Sequence, residues 1–352
     1  MSANMALLSV RDLRTYFVAD EGTTRAVDGA TFDLYAGKTL GIVGETGCGK
    51  SVTARSILRI VERPGRIVSG EILLQRDGGY IDLAKLDPDG REIRRVRGGE
   101  IGLVFQEPMT SFSPVHTVGD QVIEAIQLHR RLDKARARAR AIELFRMVGI
   151  SRPEGRLDEY SWQLSGGLRQ RAMIAMALAA EPRLLIADEP TTALDVTTQA
   201  QILELLRDLQ RKTHMAIMLI THDLGVIAEM ADDVVVMYLG RVVEHGPVDQ
   251  IFHAPKHPYT QALLRSIPGI QHEARVKLPT ISGSIPHPFA RPAGCPFHPR
   301  CALVMACAAA PDGVCCDHHE PELITVEEGH SVSCHLYRKK GAAVPLALES
   351  AR

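Results

Sequence analysis

The sequence predicts an α/β fold: a parallel sheet with crossover helices and an antiparallel strand region at its start. Three features predict it. Thr39-Leu40-Gly41-Ile42-Val43, Leu184-Leu185-Ile186-Ala187 and Ala216-Ile217-Met218-Leu219-Ile220 are continuous apolar runs, as found in strands covered on both faces. Thr198 to Thr213 has helical periodicity and separates the last two runs, supplying the crossover that parallel neighbours require. Residues 7–43 alternate apolar and polar side chains, with turns at Asp20-Glu21-Gly22 and Ala36-Gly37, a pattern of short antiparallel strands.

Between these elements, residues 110–180 are mostly helical in pattern. From Ala125 to Val148 apolar positions recur at three-to-four spacing, interleaved with Arg130, Arg131, Lys134, Arg136, Arg138 and Arg140. Without interleaved aromatics this basic run reads as a solvated helix face rather than a nucleic-acid contact. After Phe252 prolines accumulate, from Pro255 and Pro258 to Pro296 and Pro299, and mark an irregular tail. No internal repeat is visible, so the chain holds one such module.

A length of 352 residues allows one large domain with an appendage. Lys+Arg 41 against Asp+Glu 42 leaves a net charge of -1, which excludes a global basic field for nucleic acid. The stretch Met1 to Val10 lacks the order of a secretory signal. The most apolar segment, Met173 to Ala187, is broken by Glu181, Pro182 and Arg183, so it does not read as a membrane span. The expectation is a soluble cytoplasmic protein that reaches a membrane only through partners.

Gly44-Glu45-Thr46-Gly47-Cys48-Gly49-Lys50-Ser51 fits G-x-x-x-x-G-K-[ST], after a strand and opening a helix. Glycines let backbone N–H groups turn inward around phosphate oxygens, and the helix N-terminus adds favourable partial charge. Lys50 is expected to neutralise the β- and γ-phosphates and Ser51 to ligate Mg²⁺. Cys48 sits at a variable position and reads as a small filler, with a redox switch as the alternative. The run from Leu184 ends in Asp188-Glu189-Pro190, which puts both carboxylates at a strand's C-terminal edge beside the Gly-rich loop. Asp188 is then expected to hold Mg²⁺ through water, and Glu189 to orient the attacking water.

Leu164-Ser165-Gly166-Gly167-Leu168-Arg169-Gln170-Arg171 resembles the signature that defines ABC ATPases. The resemblance implies a RecA-like parallel sheet with an antiparallel β subdomain and an inserted helical subdomain, at about residues 107–180. It also implies that ATP is sandwiched across a head-to-tail dimer, so that Ser165 and Gly167 act in trans. Gln106, in Val104-Phe105-Gln106-Glu107-Pro108, matches the glutamine loop that senses magnesium and the membrane partner. Asp195, in Ala193-Leu194-Asp195, matches the aspartate that contacts the opposite subunit, and His222 the switch histidine at the γ-phosphate. Phe17 falls where the family stacks an aromatic ring on adenine, with Tyr16 as the alternative.

Outside the shared core, Phe105-Gln106-Glu107-Pro108-Met109-Thr110-Ser111, His257-Pro258-Tyr259-Thr260-Gln261-Ala262-Leu263-Leu264 and Gly294-Cys295-Pro296-Phe297-His298-Pro299-Arg300-Cys301 look like the oligopeptide/dipeptide importer subfamily. The division implied is a nucleotide-binding domain at 1–252 and a Cys-rich C-terminal extension at 253–352. The implied assembly adds a second, different ATPase subunit, two membrane permease subunits and a solute-binding protein, with this chain peripheral on the cytoplasmic face of the inner membrane. The implied cargo is a peptide or a related solute such as an oligosaccharide or opine. A soluble ABC ATPase acting on nucleic acid is the alternative, but such chains fuse two cassettes or carry a long coiled coil, and neither is present.

Six of the seven cysteines lie in the tail, and Cys295, Cys301, Cys307 and Cys334 have the spacing C-x5-C-x5-C-x26-C. In a cytoplasmic chain such thiols point to metal or reactive chemistry before disulfides. Relatives with this tail resemble carriers of a [4Fe–4S] cluster; zinc and plain buried thiols remain open, and adjacent Cys315 and Cys316 are read as bystanders.

Overall fold

The computed structural model describes residues 5–106, 111–267, 281–287, 289–304 and 315–338. Two sheets organise them. Strands β1 (Leu8–Ala19), β2 (Gly22–Leu34), β4 (Gly65–Arg76) and β5 (Gly79–Asp82) form an antiparallel sheet in the order β2-β1-β4-β5. The larger sheet has the order β11-β12-β10-β9-β3-β8-β7-β6. Its strands are β3 (Thr39–Val43), β6 (Ile101–Val104), β7 (Leu184–Asp188), β8 (Ala216–Ile220), β9 (Asp233–Tyr238), β10 (Arg241–Pro247), β11 (Ile324–Glu327) and β12 (His330–Val332).

The three apolar runs are β3, β7 and β8, and every residue in them is buried. They pair in parallel, with β6 and β9 continuing the parallel block on either side. Beyond β9 the direction alternates: β10 is antiparallel to β9, and β12 to β10. The sheet therefore runs without a break from the core strands into the C-terminal extension.

Ten helices lie among the described residues: α1 (Lys50–Ile57), α2 (Arg91–Val96), α3 (Val118–Arg130), α4 (Lys134–Met147), α5 (Pro153–Arg156), α6 (Gly166–Ala177), α7 (Val196–Thr213), α8 (Leu224–Met230), α9 (Val248–His253) and α10 (Pro258–Arg265). Helices α3 to α6 form the insertion between β6 and β7. Asp133 caps α4, its side chain accepting from the Arg136 N–H, and Ala137, Ala141, Leu144 and Phe145 form the buried stripe. Arg136 and Arg138 on this helix pair with Asp133 and Asp158, and Arg140 with Glu143 and Glu181. The arginine run is thus a charge-paired helix surface.

Two hydrophobic cores result. One lies between the antiparallel sheet and one face of the parallel sheet. The other joins the helical insertion, the opposite sheet face and the extension, whose Tyr259 and Phe297 pack on Tyr238. Ring centroids in this trio are 4.8–5.4 Å apart, a geometry that contributes about 0.5–1.5 kcal/mol per pair beyond burial.

Candidate nucleotide site

The 44–51 loop connects β3 to α1 and takes a shape that side chains would obstruct. Gly44 has φ +150° and Gly49 φ +102°. A Cβ on Gly44 would stand 2.2 Å from the Met237 carbonyl, and one on Gly49 2.1 Å from the Ala26 carbonyl. Gly49 is also the N-cap of α1 and contributes no side chain, so the first N–H groups of the helix remain directed at the loop's concavity. Gly47 has φ +81°. Lys50 is almost fully buried, and its Nζ donates to the carbonyls of Gly44 at 2.7 Å and Glu45 at 3.2 Å. Buried Cys48 is 3.9 Å from that ammonium, yet burial outweighs the cation and pushes its thiol pKa up. A protonated, buried thiol is a poor redox sensor, which leaves Cys48 as a packing residue.

Across the loop, Ser51 Oγ donates to Asp188 Oδ1 at 3.0 Å. Burial pushes the Asp188 carboxyl up against the opposing effect of that hydrogen bond. A hydroxyl and a carboxylate oxygen this close, at the mouth of a buried strand, form a hard-oxygen donor set of the kind Mg²⁺ accepts.

Glu189 follows in a left-handed backbone conformation, φ +48°, unusual for a residue with a side chain and common where function fixes geometry. Its N–H donates to the Ile220 carbonyl, which pins it to the end of β8. Gln106 Nε2 donates to Glu189 Oε2 at 3.1 Å, Thr192 Oγ1 donates to the same oxygen at 2.9 Å, and His222 Nδ1 lies 3.5 Å from Oε1. The three expected catalytic residues, separated by 83 and 33 positions in sequence, therefore meet. Thr192 was not anticipated.

Ser165, Gly167 and Asp195 form a second constellation. Ser165 caps α6, accepting from the Leu168 N–H. Asp195 caps α7, accepting from the Thr198 N–H at 3.0 Å and its hydroxyl at 2.7 Å; those bonds hold its carboxyl below the usual range. Gly167 faces Thr198, where a Cβ would approach the methyl to 2.8 Å. Among the described residues no hydrogen bond joins this group to Lys50, Ser51 or Glu189. Phe17 lies opposite Gly65 across the β1–β4 pairing, and its ring leaves no room for a side chain there. Tyr16 is committed elsewhere: its hydroxyl donates to Asp28 at 2.6 Å and Arg25 covers its ring.

Of the four cysteines expected as ligands, Cys295, Cys301 and Cys334 lie among the described residues. Cys307 lies outside the described residues. Burial pushes Cys295 up to about 11 and Cys334 up to about 12, and among the described residues no three thiol, imidazole or carboxylate side chains are placed to hold a metal ion. Cys316, set aside as a bystander, is nearer to the others than expected: its carbonyl accepts the Cys295 N–H at 2.8 Å.

Sequence reasoning also missed how the extension reaches the loop. Tyr259 Oη accepts the Glu45 N–H at 2.9 Å, and the Arg300 guanidinium grips the Glu45 carboxylate at 2.7 and 3.0 Å. Both residues stand in motifs noted above, but no local pattern signals a pairing across 255 positions.

A strand-to-helix glycine-rich loop followed by a carboxylate pair, with a capped Ser-Gly-Gly helix elsewhere in the chain, defines the class to which the family matches also point. Residues 27–192 match the model described as ABC transporter. Residues 243–307 match that described as oligopeptide/dipeptide transporter, C-terminal region. The chain belongs to the ATP-binding, ATP-hydrolysing subunits of the ABC transporter family. Among its relatives, the oligopeptide transport ATP-binding protein AppD of Bacillus subtilis is 48% identical over 337 residues, covering 96% of this chain and 98% of that one. The dipeptide transport ATP-binding protein DppD of Escherichia coli is 46% identical over 331 residues, covering 94% and 97%. Among solved structures, the dimeric ATP-binding cassette MJ0796 bound to ADP and Pi superposes with a TM-score of 0.60 at 27% identity, over 68% of this chain and 98% of that one. Nothing among these relatives supports the nucleic-acid alternative. Among the described residues no helix is long and apolar enough to cross a membrane.

Proposed function

We propose that the 44–51 loop takes the triphosphate of ATP, with Lys50 exchanging its carbonyl partners for phosphate oxygens. Ser51 and Asp188, joined by Gln106, would hold Mg²⁺, which supplies charge neutralisation to the phosphates. Glu189 orients and polarises the attacking water, and His222 contacts the γ-phosphate. Phe17 carries the adenine, while Ser165, Gly167 and Asp195 complete the site of a second ATPase subunit across a head-to-tail dimer. The observation that carries this reading is the convergence of Gln106 and His222 on Glu189, one residue beyond the Asp188–Ser51 pair. We read residues 1–252 as the motor and 253–352 as the subfamily's extension.

The work done is solute import through two membrane subunits, with this chain on the cytoplasmic face of the inner membrane. The C-terminal region match and the oligopeptide and dipeptide transport named for the relatives favour peptides as cargo. Among the described residues the donor geometry lends a [4Fe–4S] cluster no support, and it carries no step.

The test is Glu189→Gln. ATP binding should persist and steady-state hydrolysis by the assembled transporter should fall by at least a hundredfold, because only the water-orienting carboxylate is lost. Turnover within about threefold of wild type would overturn the assignment.

A further inference from the structure

Glu45, the second residue of the phosphate loop, is held from outside the nucleotide-binding core. Tyr259, on α10, accepts its N–H. Arg300 closes two hydrogen bonds on its carboxylate and is itself fixed by the Ser282 carbonyl, the Tyr238 hydroxyl and the Tyr238 ring face. The Arg300 side chain is 4% exposed and Glu45 23%, so the pair is shielded from solvent on the guanidinium side. On its other side, the Glu45 carbonyl accepts from Lys50. Loop, lysine and extension thus meet at one residue.

Two consequences follow from charge. A carboxylate next to a triphosphate cradle repels the ligand unless a cation compensates it, and a shielded pair feels that interaction at reduced dielectric. A planar guanidinium that grips both oxygens also fixes direction, which a lysine cannot do.

We propose that Arg300 and Tyr259 are positioning residues for ATP: acting through Glu45, they hold the phosphate loop in its binding shape and cancel its one acidic side chain, so that nucleotide affinity depends on a docked C-terminal extension. This rests on the assignment of residues 44–51 as the phosphate loop, and the test separates the two. An ordinary tether between extension and core would show the same contacts, but it makes a different prediction for rescue.

The experiment measures the Kd of a fluorescent ATP analogue on the full-length chain, with thermal unfolding followed in parallel. Arg300→Ala should weaken binding about tenfold, as expected of an uncompensated charge near the ligand. Arg300→Gln, which keeps a neutral hydrogen bond and the packing, should weaken it severalfold at nearly unchanged Tm. Adding Glu45→Gln to either variant should restore most of the affinity. Tyr259→Phe should raise Kd a few-fold. Unchanged Kd in both Arg300 variants, with binding lost in Lys50→Ala, would overturn the proposal and leave the loop assignment standing. Arg300→Gln weakened but not rescued by Glu45→Gln would reduce the pair to a tether and overturn it equally. Binding unaffected by Lys50→Ala would sink the loop assignment and the proposal together.

Discussion

The amide of Gln106 donates to Glu189 Oε2 at 3.1 Å, joining the end of β6, where the helical insertion begins, to the residue proposed to orient the attacking water. A ligand shifts a conformational equilibrium only through its differential affinity for the two states. On the proposed mechanism, a glutamine that traded this bond for the magnesium and water shell would supply that difference and move the insertion with it.

Gln106→Ala is therefore expected to lower transport more than it lowers basal ATP hydrolysis by the ATPase subunits alone. The quantity to compare is solute moved per ATP hydrolysed in reconstituted vesicles. If that ratio and the transport rate both match wild type, this loop does not couple the two events.

Gly49→Ala should abolish nucleotide binding while leaving most of the fold intact. A Cβ there would meet the Ala26 carbonyl at 2.1 Å in a left-handed backbone, so the loop has to move. Isothermal titration with ATP alongside circular dichroism separates the two effects. Retention of wild-type affinity would contradict the described loop shape.

Glu244→Gln should destabilise the chain by about 2–4 kcal/mol, in the range for breaking a buried charged network. The carboxylate is fully buried and accepts from the Lys256 N–H, the His257 N–H and His330 Nε2. An amide turns one of those acceptors into a donor. Denaturant midpoints measure the change, and a loss below about 0.5 kcal/mol would mean the network is not formed in solution.

Buried His257 gives stability a pH dependence of known sign. Burial pulls its pKa down from 6.5 to about 4, against the raising effect of Glu244, and its Nδ1 accepts the Tyr259 N–H. Between pH 6.5 and 4 the unfolded chain binds the proton and the folded chain does not. Stability contributed by neutral His257 is thus complete above the unfolded pKa and declines as pH falls through that window, by at most about 1.4 kcal/mol per unit. The melting temperature should fall from pH 7 to pH 5, and His257→Asn should flatten that slope.

Legibility in the sequence followed the range of the interaction. Strands β3, β7 and β8 were visible because each is a buried run with no exposed face to interrupt it. Ser165 and Asp195 were visible through the family motifs that contain them; both cap the helix that follows. Thr192 and Arg300 were not, because each acts on a residue brought near only by folding. Strands β11 and β12 were hidden by their length, four and three residues among prolines and cysteines. The cysteine spacing named candidate ligands but no geometry, since spacing alone carries no direction for a side chain.

The pairing of β12 with β10 bears on how such a motor can be cut and recombined. Glu244 faces Val332 and His245 faces Ser331 across that seam. A fragment ending at residue 252 would leave β10 as a bare sheet margin, with its N–H and C=O groups free to recruit another chain. Among the described residues the margin passes to β11, only four residues long, a short rim ill-suited to recruitment. Swapping residues 1–252 between related transporters would therefore have to carry the β11–β12 hairpin along to cover β10.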